Sequence, residues 1–211
     1  TFLLSAGWGY DSRNRAIFAT AGARHWLNVG YTAPGSDVEF YSLSYEWLQF
    51  VPLGRWLTIM NNFEIGYAND IGSTTSIPPY RNFFAGGAES VRGFRASTLG
   101  PKDTFGNPYG GNTKLTNQFE LLLPMPEKFR NSARFSLFFD AGNVFSNDHV
   151  TFYDKTNVIP VEYDFDIGDL KYSTGLAVQW LAPLGVFRFS YAFPLNKTKG
   201  TALDYGDETE N

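Results

Sequence analysis

The chain has no cysteine and only two histidines and two methionines among its 211 residues. Without cysteine, neither a disulfide framework nor a thiolate metal site can form. The two histidines, His25 and His149, are too few for a histidine-rich metal centre, and no serine motif accompanies either as a nucleophile would need. No phosphate-cradling loop or dinucleotide fingerprint occurs, so no cofactor is expected. Charge is sparse: 17 basic and 21 acidic residues leave a net charge of −4, which argues against a nucleic-acid partner. No run of about 18 apolar residues exists, which excludes a membrane-crossing helix. The expectation is a protein that is not an enzyme.

What is plentiful points to strands. Aromatic residues are 18% of the chain, and 21 glycines and 11 prolines supply many turns. About eight segments alternate apolar and polar residues with period two. In 186–193, Phe187, Phe189, Tyr191 and Phe193 oppose Val186, Arg188, Ser190 and Ala192. Similar alternation runs through 2–11, 24–33, 39–50, 55–68, 116–123, 133–141 and 172–180. Each is about the ten residues that a tilted membrane strand needs. The polar faces carry Ser, Gly, Thr, Asn and Gln, which suit a wet lumen better than a dry core. Aromatics ending the apolar faces fit interfacial girdles. A soluble two-layer sandwich is the alternative; it would bury Phe187, Phe189 and Tyr191. The expected fold class is all-β, an antiparallel transmembrane β-barrel.

Connection lengths agree with that plan. The connections around 51–54, 124–131 and 182–185 are short, whereas 69–110 and 146–169 are long. Outer-membrane barrels have tight periplasmic turns and longer outer loops. The stretch Asp11 to Arg24 fits less cleanly, being longer than its periplasmic position predicts.

The loop at about 69–110 is the most informative part. Loops beyond about 15 residues are uncommon unless they carry function. It contains Phe84-Ala85-Gly86-Gly87 and then Val91-Arg92-Gly93-Phe94 and Leu99-Gly100-Pro101. Gly86, Gly87 and Gly93 permit turns that other residues resist, and Phe94 is expected to anchor the loop by packing. Arg92 is an always-charged planar group that must avoid hydrocarbon. Two acids have lumen parity on neighbouring strands, Glu120 in Gln118-Phe119-Glu120-Leu121 and Asp140 in Phe138-Phe139-Asp140-Ala141. The loop is therefore expected to fold into the lumen, where Arg92 meets both carboxylates in forked hydrogen bonds. A solvated loop arginine is the plainer alternative.

The run Val91-Arg92-Gly93-Phe94, with its flanking glycines and Leu99-Gly100-Pro101, resembles the loop motif of the Omp85 superfamily, outer-membrane barrels that insert or translocate other proteins. The resemblance implies acids at the positions of Glu120 and Asp140 as partners of Arg92. It implies a barrel of roughly sixteen strands, of which residues 1–211 are the C-terminal part. It also implies a barrel-assembly function in the bacterial outer membrane, with membrane lipids, nascent outer-membrane proteins and accessory lipoproteins as partners. A TamA-like or two-partner secretion translocator is the nearer rival reading. A passive porin is more distant, since porin loops usually carry acids and the facing wall arginines. The chain is expected to be a piece: no leader precedes Thr1, the family's substrate-capturing POTRA domains are missing, and the end at Asn211 lacks the last strand. Its open edges would then favour self-association.

Two other clusters invite attention. Asp148-His149 would suit a protease or cation site, and Asp164, Asp166 and Asp169 could hold calcium. Both are read as polar loop residues, and no metal is expected.

Overall fold

The structure is a computed structural model, and it describes residues 2–54, 56–72, 74, 76–103, 105–147, 152–153, 160–161 and 163–197. Eight long strands emerge from the alternating segments: β1 (Leu3–Asp11), β2 (Gly22–Thr32), β3 (Phe40–Leu53), β4 (Leu57–Asp70), β5 (Thr113–Leu123), β6 (Ala133–Phe145), β9 (Lys171–Ala182) and β10 (Gly185–Pro194). Between β6 and β9 lies a two-residue ladder, β7 (Phe152–Tyr153) with β8 (Pro160–Val161), which pairs only with itself. The long strands form one antiparallel sheet in the order β1-β2-β3-β4-β5-β6-β9-β10, each beside its chain neighbour. Among the described residues β1 and β10 flank no further strand. No helix of the described residues is long and apolar enough to cross a membrane, which says nothing against crossing by strands.

Period-two alternation fixes which side chains share a face. On one face of β6, Phe135, Leu137 and Phe139 point away from the packed interior; Ser136, Phe138 and Asp140 are buried on the other. β5 repeats the pattern, with Phe119 outward and Thr116, Gln118, Glu120 and Leu122 inward and buried. Phe189 and Tyr191 on β10 are 61% and 60% exposed, so the dry two-layer sandwich is excluded. The apolar face is the outer one. Soluble chains do not display such a continuous apolar band, whereas a barrel needs it to meet lipid.

β3 and β6 run further than the alternation suggested, and β4 keeps the expected length but sits two residues further along the chain. β3 and β4 each have 14 residues and β6 has 13. β6 gains residues 142–145 and β4 reaches Asp70 at the outer end, where Thr113 pairs with Phe145 and Phe40 with Asp70, whereas β3 gains residues 51–53 at the short-turn end, where Leu53 pairs with Leu57. The connection at 12–21 also has a physical reason for its length. It is a folded plug rather than a tight turn. The Asn14 side-chain oxygen accepts from the backbone N–H groups of Thr20 and Ala21, and buried Phe18 and Ala19 reach the lumenal face, Ala19 packing with Phe50 and Leu122.

Candidate functional site

The long connection, 71–112 between β4 and β5, returns over the lumenal face and is stitched to it. Phe83 and Gly111 exchange backbone hydrogen bonds, and the Leu99 N–H donates to the Ala85 carbonyl. A tight turn forms at the motif: the Gly87 N–H donates to the Val91 carbonyl and the Ser90 N–H to the Gly87 carbonyl. Gly86, Gly87 and Gly93 all have left-handed φ, at 106°, 93° and 85°, which L side chains adopt only at a cost. Ala85, Val91, Phe94 and Leu99 form a buried cluster with Val144 of β6. That cluster anchors the loop from both sides of Arg92.

Arg92 is 1% exposed and meets two carboxylates. Its Nε and Nη2 donate to the two oxygens of Asp140 at 2.7 Å each, a bidentate fork. Its Nη1 donates to Glu120 at 2.5 Å, and its backbone N–H donates to Asp140 at 3.0 Å. The second Glu120 oxygen accepts from the Ser136 hydroxyl at 3.0 Å. The guanidinium carbon also lies 3.6 Å from the centre of the Phe138 ring, within cation–π range. The sheet register brings the acids together: Gln118 pairs with Asp140 and Glu120 with Phe138, so both carboxylates rise from the same face of adjacent strands. All four donor contacts are charge-assisted, the strong class of hydrogen bond.

Ser136 and Phe138 were not singled out from sequence, although both share the parity of Asp140 and that parity was the available signal. Two further lumenal ion pairs were also missed, Arg24 with Glu46 at 2.5 Å and Lys114 with Glu64 at 2.7 Å. Their partners sit on neighbouring strands, and only strand order reveals them. Glu89 lies 3.9 Å from Arg188 of β10 and is largely exposed, so that contact holds little. Gly93 approaches β10 more closely: a Cβ there would stand 3.2 Å from the Ala192 Cβ. In the outer part of the loop, hydrogen bonds from Asn107 hold the Asp103 carboxyl below its ordinary range.

Among the described residues, the remaining sequence candidates assemble no metal-ligating group. His25 points outward, its Nδ1 2.7 Å from the Tyr45 hydroxyl and its ring stacked near Trp47. Asp166 caps a short 3₁₀ turn by accepting from the Gly168 N–H at 2.7 Å. No group of three or more metal-ligating side chains occurs among the described residues. Asp148, His149 and the end at Gly206–Asn211 lie outside the described residues.

The Omp85 superfamily domain matches residues 1–206. The chain belongs to the Omp85 superfamily. Its Omp85 relatives include the outer membrane protein assembly factor BamA of Neisseria meningitidis serogroup B, 39% identical over 92% of this chain and 26% of that protein. The sorting assembly machinery 50 kDa subunit of Saccharomyces cerevisiae is 23% identical over 93% of this chain and 39% of its own length. Among solved structures, BamA from Haemophilus ducreyi lacking POTRA domains 1–3 superposes with a TM-score of 0.83 at 30% identity, over 97% of this chain and 41% of that one. The eight-stranded sheet is thus part of an Omp85 transmembrane barrel, and its place is the bacterial outer membrane. The chain spans less than half the length of each of these relatives.

Proposed function

We propose that residues 1–211 form the C-terminal part of a roughly sixteen-stranded Omp85 barrel that folds and inserts β-barrel proteins into the outer membrane. The observation that carries this reading is the Val91–Phe94 loop locked inside the lumen, with Arg92 forked onto Asp140 and Glu120. A loop fixed there braces the inner wall of β5 and β6 and, through Gly93, abuts β10. In lipid every backbone donor must be paired, so a seam that opens beside β10 offers its edge to an incoming strand. The incoming strand adds by β-augmentation. Its own hydrogen bonds and burial then supply the driving force, so the protein works without an enzymatic step or cofactor.

Membrane lipids and nascent outer-membrane chains are the partners this mechanism requires, and accessory assembly lipoproteins are further partners in this reading. Expressed by itself, the chain self-associates through the edges of β1 and β10, which no other strand of the described residues covers. The test is reconstitution of the full-length parent into liposomes, followed by addition of an unfolded eight-stranded barrel substrate. Faster substrate folding with the parent than with empty liposomes, and a loss of that acceleration with Arg92→Ala, are the expected results. Ion conductance without accelerated folding would indicate a passive pore, and loss of one secreted protein alone in cells would indicate a translocator.

A further inference from the structure

Arg134, a second arginine on the lumenal face, has no acidic partner among the described residues. Arg134 leaves β6 with the parity of Ser136 and Asp140, and its Nη2 donates to the Ala19 carbonyl at 2.7 Å. Its guanidinium carbon lies 5.0 Å from the Phe18 ring centre and 5.9 Å from that of Phe50. No described residue offers it a carboxylate within ion-pair distance. Glu120, the lumenal acid on the neighbouring strand, is engaged at one oxygen by Arg92 and at the other by Ser136.

Beside Arg134 opens a concavity of about 280 Å³, which Arg15 and Arg130 also line. Phe18, Trp56 and Leu122 give it an apolar wall, and no acid is among its described lining residues. Neither additional arginine is strongly committed. Among the described residues, Arg15 reaches the Asn131 side-chain oxygen at 3.5 Å, and Arg130 stands 4.0 Å from the exposed Glu127. The concavity lies at the end of the sheet that carries the shorter connections, the periplasmic end of an outer-membrane barrel.

We propose that this concavity is a carboxylate-binding site for an acidic peptide segment entering the lumen from the periplasm. Three guanidinium groups held together repel one another, and an anion relieves that repulsion while accepting forked hydrogen bonds. The site opens on the lumenal face, whereas a lipid headgroup would approach from the outer face. Its volume admits one side chain or a chain terminus, not a folded domain. The apolar wall selects an acid that has an aromatic or aliphatic neighbour. This site is separate from the Arg92 loop, and direct binding tests it without any insertion activity, so either can fail alone.

The experiment measures fluorescence anisotropy of a labelled ten-residue peptide containing Glu-Phe-Glu, with the full-length parent in detergent micelles. The counterpart peptide carries Gln-Phe-Gln. The acidic peptide is expected to bind about tenfold or more tighter, the equivalent of a single charged contact. Salt should weaken it, because the outer arginines are solvent-exposed. Arg134→Gln risks unfolding the plug, so the exposed double variant Arg15→Gln/Arg130→Gln carries the test, with an expected loss of about tenfold. Equal binding of the two peptides, or undiminished binding by the double variant, would overturn the site. Capture of phosphatidylglycerol vesicles that the acidic peptide does not displace would overturn the peptide assignment.

Discussion

Replacing Arg92 by Ala removes the cation between two carboxylates that are almost fully buried, Glu120 at 2% and Asp140 at 0% exposure. Three side-chain hydrogen bonds from Arg92 disappear, together with its contact to the Phe138 ring. The backbone bond to Asp140 is retained by Ala only while the turn that the side chain holds persists. Breaking a buried ion pair by deleting one partner costs about 3–5 kcal/mol, chiefly because the other charge is stranded. The loop can escape that penalty by lifting off and admitting water, so the cost appears as local opening rather than global unfolding. A change of about 3–5 kcal/mol raises the open population by about 10²- to 5 × 10³-fold. Native-state hydrogen exchange over residues 85–99 reads that population directly, and trypsin cleavage after Arg95 gives an independent check. Arg92→Lys retains the charge but loses the planar fork, so its protection should fall between wild type and Ala. Unchanged exchange in Arg92→Ala would refute the reasoning, because it would mean that the buried cluster of Val91, Phe94 and Leu99 holds the loop unaided.

Three other substitutions or conditions test neighbouring parts of the structure. Leu137→Arg places a charge mid-strand on the outward face of β6 and should cost about 2–4 kcal/mol of stability in a bilayer, read as a shift in urea midpoint for lipid-embedded protein; a neutral result would mean that this face meets water. Gly100→Ala puts a Cβ 2.6 Å from the Val144 carbonyl at a φ of 90°, and should loosen the loop by about 1–3 kcal/mol, seen as faster exchange at Leu99. The Asp103 carboxyl is held below its ordinary value of 3.8 by hydrogen bonds, that from the Asn107 side chain first. Its contribution to the 103–107 turn is complete above the unfolded value and is lost as pH falls through the lower folded one. Exchange at Phe105 and Asn107 should therefore accelerate only below about pH 4, and Asp103→Asn should abolish that acid step.

Much of the architecture follows from the chain alone, because a strand's side chains alternate with period two regardless of their surroundings. That rule put Glu120 and Asp140 on one face and Phe119, Leu137 and Phe139 on the other, before any register was known. The exact strand limits did not follow. The outward reach of β4 and β6 passes through residues such as Asn69, Asp70 and Asn143, whose composition reads as loop and whose pairing comes from neighbouring strands. The length of 12–21 also had no sequence reason, since Phe18 and Ala19 are buried against distant Phe50, Leu122 and Arg134.

By itself the sequence determined an apolar outer face, a polar inner one, and a glycine-rich loop whose arginine must find acids. Backbone geometry and the cost of an unpaired charge require those features locally. Only the tertiary structure decided that Ser136 and Phe138 complete the Arg92 site, that Arg24 meets Glu46, and that Arg134 meets no acid among the described residues. Those outcomes depend on strand order and register, which set contacts between residues far apart in the chain.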